Sequence, residues 1–81
     1  MFINKSKNGL NNISGKNIAK IRKKLRVSQR AIADLLQLYG LDLDKNAIQR
    51  IESGKRFVTD IELVIIAQAL KVSLDDLLKD E

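Results

Sequence analysis

DKNAIQRIESG, residues 44–54, carries both ends of a short helix. Asp44 is a favourable N-cap, because its carboxylate can accept a hydrogen bond from a free backbone N–H of the first turn. Its charge also suits the positive end of the helix dipole. Gly54 is a favourable stop, since helices often end on a left-handed residue, a conformation glycine adopts at little cost. Between them, Ile48 and Ile51 share one face, which can be buried. The rest of the surface presents Lys45, Asn46, Gln49 and Arg50. Lys and Arg match guanine edges or phosphates, and Asn and Gln match adenine edges. Taken alone, the same residues also fit an ordinary solvated face, because exposed charged residues are the norm. The surrounding chain tips the balance.

Downstream, Lys55 and Arg56 lead into Phe57 and Val58, a basic and then apolar loop with Phe57 expected in the core. Thr59 to Glu62 reads as a capping box, in which each side chain satisfies the other residue's backbone N–H. The fourth helix it opens runs to about Lys71, with Leu63, Ile66, Ala67 and Leu70 as the inner stripe. Ile61 and Ile65 fall on the opposite side, flanked by Val64, and need a cover: an N-terminal arm or a partner surface. Ser73 to Asp76 is a second cap of the same kind and opens a short fifth helix through Leu74, Leu77 and Leu78.

Upstream, Leu41 to Leu43 precede Asp44. Ser28 caps a second helix whose inward positions are Ile32, Leu35 and Leu36, with Ala31 and Ala33 small enough for close helix contact. It extends to Tyr39, a packing residue, and ends at Gly40. A first helix spans Gly15 to Arg26 with Ser14 as N-cap, and Ile18, Ile21 and Leu25 form its apolar stripe. The remaining surface of that helix is nearly all Lys and Arg. Arg22, at the edge of the stripe, either snorkels or finds a carboxylate. Residues 1–13 read as an irregular arm, docked in part through Phe2, Ile3, Leu10 and Ile13. Residues 14–81 then form one domain of five short helices with short connections, an all-α fold.

Composition narrows the function. Eighty-one residues suffice for one modest core. There is neither Cys nor His, so no disulfide, thiolate metal site or imidazole base is available. No pair of Asp, Glu, Lys or Ser reads as a catalytic centre, so an enzyme is not expected, nor a cofactor, a metal or a small-molecule ligand. No hydrophobic run approaches the roughly 18 residues of a membrane span, and the N-terminus lacks a signal-peptide core, so a cytoplasmic protein is expected. The net charge of +5 is unevenly placed. Residues 1–30 hold nine basic residues and no acidic one, whereas residues 57–81 hold two basic and six acidic. Such asymmetry suggests that one side faces a polyanion.

From Ile18 to Leu78 the sequence resembles the phage-repressor and Cro-like helix-turn-helix family. The residues that carry the likeness are IRKKLRVSQRAIADLL, IQRIESGKR and AQALKVSLDDLL. The resemblance implies a compact five-helix lambda-repressor-like domain that binds operator DNA as a dimer and regulates transcription. It implies that Lys45, Asn46, Gln49 and Arg50 are the outward, base-reading positions of the recognition helix. Gln29 would sit at a phosphate or base, with Ser28 before it at the DNA backbone. Lys55 and Arg56 would lie near the DNA backbone, and Arg22 would pair with Glu52 in a partly buried ion pair. Two departures stand out. The stretch between Leu36 and Ile48 is longer than in the commonest members, which alters how the recognition helix is held. Asp44 stands where Ser or Thr is usual, as a cap or as an acceptor for a cytosine amino group.

Two functions follow. The first is sequence-specific binding of double-stranded DNA by a homodimeric, repressor-like regulator. The second is a protein-interaction role, as an antitoxin or adaptor of the same fold, with Ile61, Val64 and Ile65 as the interface. RNA binding lacks the stacking aromatics that single-strand readers use.

Overall fold

Each segment with helical spacing and end signals is helical: α1 (Gly15–Lys24), α2 (Gln29–Leu38), α3 (Lys45–Glu52), α4 (Asp60–Leu70) and α5 (Leu74–Leu78). The computed structural model describes residues 5–79, and no strand occurs among them. Phe2 and Ile3, expected to help dock the arm, lie outside the described residues, as do residues 80 and 81.

The helix starts follow side-chain chemistry. Ser28 Oγ accepts from the Ala31 N–H, Asp44 Oδ1 from that of Ala47, and Thr59 with Glu62 and Ser73 with Asp76 form complete capping boxes. Asp44 is therefore a cap. The exception is α1. Ser14 is buried in helical backbone geometry and makes no side-chain cap bond. Asn12 Oδ1 takes over, accepting from the Gly15 N–H at 2.8 Å. The first helix also ends at Lys24 rather than Arg26, because Arg26 turns left-handed (φ 60°) to redirect the chain into α2. Gly40 and Gly54, with φ of 82° and 79°, end α2 and α3, positive values that an L side chain tolerates poorly.

One core joins all five helices. Ile18, Ile32, Leu36, Ile48, Ile51, Ile66 and Leu77 are fully buried at its centre, and Ala33, Leu43, Ala67, Ala69 and Leu70 complete it. The expected stripe of α1 is cut short: Leu25 lies past the helix end and is exposed. Leu74 and Leu78 are also exposed, because a five-residue helix turns only Leu77 inward. Phe57 and Tyr39, expected to pack, sit in exposed connections, and Ala31 lies on the outer side of the first turn of α2. The longer connection between α2 and α3 is anchored at its far end. Leu43 is buried directly before the Asp44 cap, so the extra residues stay at the surface and α3 keeps its seat on α2.

Candidate nucleic-acid interface

On α3, Ile48 and Ile51 are buried in the core, while Lys45, Asn46, Gln49 and Arg50 are all exposed. Asn46, Gln49 and Arg50 border one open depression together with Ser53 and Lys55. Beside it, Lys45 borders a second one with Arg22, Ser28, Gln29 and Arg30, at the start of α2. The two form a continuous polar surface over the outer face of α3 and the adjoining end of α2. Among the described residues, Lys45, Arg50 and Lys55 make no ion pair, so their charge is available to an outside anion. Arg30 carries no motif in the sequence. Its place follows from the Ser28 cap, which sets the first turn of α2 against α3.

Under this surface the carboxylate of Glu52 collects three hydrogen bonds. Arg22 Nε donates at 2.7 Å and Nη2 at 3.1 Å, and Gln29 Nε2 donates at 2.9 Å. Arg22 also donates to the Val27 carbonyl at 2.9 Å. The hydrogen bond to Glu52 raises the pKa of Arg22 above the ordinary arginine value, against the opposing effect of burial. Arg22 and Glu52 thus tie α1 to α3. Gln29, placed by the resemblance at a phosphate or base, has its amide turned to Glu52, which fixes the start of α2 relative to α3.

Where the chain leaves α3, Arg56 is engaged within the protein. Its guanidinium donates to both carboxylate oxygens of Glu62, at 3.0 and 2.9 Å, and to the Phe57 carbonyl. The guanidinium joins the α3 exit to the α4 cap while its side chain stays partly exposed beside Lys55. The pairing raises the pKa of Arg56 and holds that of Glu62 below the ordinary glutamate value. Lys55, next to it, remains exposed.

A helix-turn-helix family profile matches residues 18–77, from the buried stripe of α1 to the centre of α5. The chain belongs to the helix-turn-helix family. Two solved structures of helix-turn-helix proteins align with it over most of their length. The P22 c2 repressor, solved in complex with synthetic operator 9T in the presence of Tl+, aligns at a TM-score of 0.70 and 27% identity, covering 86% of this chain and 98% of that one. The restriction-modification controller protein C.AhdI from Aeromonas hydrophila aligns at a TM-score of 0.68 and 25% identity, covering 79% of this chain and 86% of that one. No curated protein sequence matches significantly. As a helix-turn-helix domain the fold is lambda-repressor-like, and α2 and α3 are the paired elements.

Three asparagines that no sequence motif marks hold this helix-turn-helix unit in place. Buried Asn17 donates to the carbonyls of Leu77 and Lys79 at 2.8 and 2.9 Å, joining α1 to the end of α5. Asn11 and Asn12 bind the exit of α3. On α4, Ile61 is 70% exposed, Val64 is exposed and Ile65 is half-buried. The described part of the arm, residues 5–13, packs at the α3 exit and leaves Ile61 open. Among the described residues, no helix is long and apolar enough to cross a membrane and no side-chain cluster could hold a metal ion.

Proposed function

We propose that the chain is a sequence-specific, double-stranded DNA-binding transcriptional regulator that reads the major groove with α3. The observation that carries this reading is the division of α3 into a face locked in the core by Ile48 and Ile51 and a face of four exposed donors and acceptors. A helix rooted in this way can present Lys45, Asn46, Gln49 and Arg50 to base edges in a fixed direction. Arg50 or Lys45 pairs with guanine, and Asn46 or Gln49 with adenine. Ser28, Arg30 and Lys55 set the register on the phosphates. Residues 14–81 serve as the DNA-binding domain, and Lys5 and Lys7 of the 1–13 arm add to the charge that neutralises phosphates. The protein works in the cytoplasm as a homodimer on its operator, with no catalytic step. The names of its structural relatives, an operator-bound repressor and a controller protein, support the regulatory reading.

Selection from random duplexes, followed by a salt series on the selected site, tests the proposal. The chain should enrich one motif, and its affinity should fall steeply with salt. A pool that stays random would refute it.

Exposed Ile61, with Val64 three residues on, favours a further contact to protein. In the main reading this is the dimer surface. In the alternative, an antitoxin or adaptor, the same patch takes a different protein and the α3 surface binds no operator.

A further inference from the structure

The last carbonyls of an α-helix lack intrahelical partners and carry the negative end of its dipole. At the end of α3 the chain supplies several of the missing donors itself: the Gly54 N–H to Ile51 O at 3.0 Å, and the Lys55 N–H, the Arg56 N–H and the Ser53 hydroxyl to Arg50 O at 2.9, 3.2 and 3.1 Å. A second set arrives from the far end of the sequence. Asn12 Nδ2 donates to Ile51 O at 3.1 Å and to Arg56 O at 2.7 Å. The Asn11 backbone N–H donates to Gly54 O at 2.8 Å and its Nδ2 to Lys55 O at 2.9 Å. Asn12 Oδ1 meanwhile holds the Gly15 N–H at 2.8 Å, so one side-chain amide joins the start of α1 to the end of α3.

Packing closes the same joint. A Cβ on Gly54 would come within 2.8 Å of Leu10 Cδ2, and one on Gly15 would be driven into the Ile51 carbonyl oxygen. The segment that delivers these contacts is itself a closed turn. The Ser6 N–H reaches Leu10 O, the Gly9 N–H reaches Ser6 O, and the Leu10 N–H reaches Ser6 Oγ, at 2.9, 2.9 and 3.1 Å.

We infer that residues 6–12 are a strap that sets the direction of the recognition helix, with Asn12 as its positioning residue. The inference rests on the DNA reading proposed above. Asn12 carries more of the role than Asn11, because both of its amide atoms are engaged. Asn11 Oδ1 is shielded from water without a partner among the described residues, and an unmet buried acceptor offsets part of what a hydrogen bond gains. Base readout depends on bidentate geometry that tolerates little tilt, whereas flexible lysines follow a phosphate through small shifts. Loosening the strap therefore reduces discrimination between sequences before it reduces affinity for DNA in general.

Asn12→Ser keeps an acceptor for the Gly15 N–H and removes the amide donors to Ile51 O in α3 and to Arg56 O just beyond it. The whole chain and this variant are titrated against the duplex selected by wild type and against a scrambled one, at one salt concentration. The specific-to-scrambled affinity ratio should fall on the order of tenfold, while affinity for the scrambled duplex stays within about twofold. Without DNA, amide hydrogen exchange at Gly54, Lys55 and Arg56 should accelerate. Asn12→Asp, which sets a carboxylate against the Ile51 and Arg56 carbonyls, should lower the ratio further. A ratio unchanged by Asn12→Ser, or equal losses on both duplexes, overturns the strap. A wild-type chain that prefers no duplex overturns instead the DNA reading beneath it.

Discussion

Glu52→Gln should leave the largely buried guanidinium of Arg22 without its carboxylate. The wild-type carboxylate serves Arg22 Nε, Arg22 Nη2 and Gln29 Nε2, and the two charged side chains are 13% and 8% exposed. The glutamine keeps one oxygen to accept with, but points its NH2 group at other donors. Breaking a well-buried pair from one side costs about 3–5 kcal/mol. Arg22 retains the Val27 carbonyl and some water, so the lower end applies, about 3 kcal/mol. Against the roughly 5–15 kcal/mol that holds a domain together, this is a large share. For a domain of this size it corresponds to a fall in Tm of about 12–24 °C. Urea and thermal unfolding of the whole chain, followed by helical circular dichroism, measures it. Replacing both partners, Arg22→Met with Glu52→Leu, should recover most of the loss, because no charge is then left unpaired. A Glu52→Gln variant within about 0.5 kcal/mol of wild type would refute the reasoning, since that is the range of an ordinary surface substitution.

Three further outcomes are expected. Arg50→Ala or Asn46→Ala should cost about 1–3 kcal/mol on the best operator and relax preference at one base position, whereas Lys55→Ala should weaken all duplexes nearly equally and reduce the salt slope by roughly one; a salt series on specific and scrambled duplexes separates the two, and identical profiles would count against base reading by α3. Glu62 titrates below its ordinary value when folded, chiefly through Arg56. Its contribution is therefore fully present above the usual glutamate range near ~4.3 and is lost as pH falls through the depressed folded value. Urea midpoints in acid should drop for wild type and drop less for Glu62→Gln; parallel acid limbs would rule Glu62 out. Ile61→Lys should leave a folded monomer by sedimentation if this patch is the dimer surface, and an unchanged sedimentation coefficient would exclude it.

The helices could be read from the sequence because their signals are local. Ser28, Asp44, Thr59 and Ser73 each cap a donor a few residues away, and Ile32 with Leu36, Ile48 with Ile51 and Ile66 with Leu70 stand at helical spacing. The exposed surface of α3 was legible for the same reason: once Ile48 and Ile51 face inward, Lys45, Asn46, Gln49 and Arg50 have to face out. Contacts between distant segments were harder. The local sequence allows Arg22 either to snorkel or to pair, and only the family likeness points to Glu52. Asn12 and Asn17 bind backbone carbonyls, which every residue has, so no partner type in the sequence betrays them. The pairing of Arg56 with Glu62 is equally silent in the sequence, because nothing local shows that Glu62 of the α4 cap reaches back to it. The exposed Leu25, Leu74 and Leu78 show the converse: an apolar residue at the right spacing is buried only as far as the helix carrying it extends.

The amide of Asn17 makes the order of synthesis matter. It lies in α1, which is made before α2 to α5, yet its acceptors are the carbonyls of Leu77 and Lys79, and Leu77 is itself fully buried against the rest of the core. Until residues 77–79 emerge, the nascent chain carries an unmet polar group and an unplugged apolar cavity. The domain therefore closes only once its last helix has been translated. A message cut short before Leu77 would encode α1 to α4 in full and still deliver a substrate for proteases rather than a folded domain.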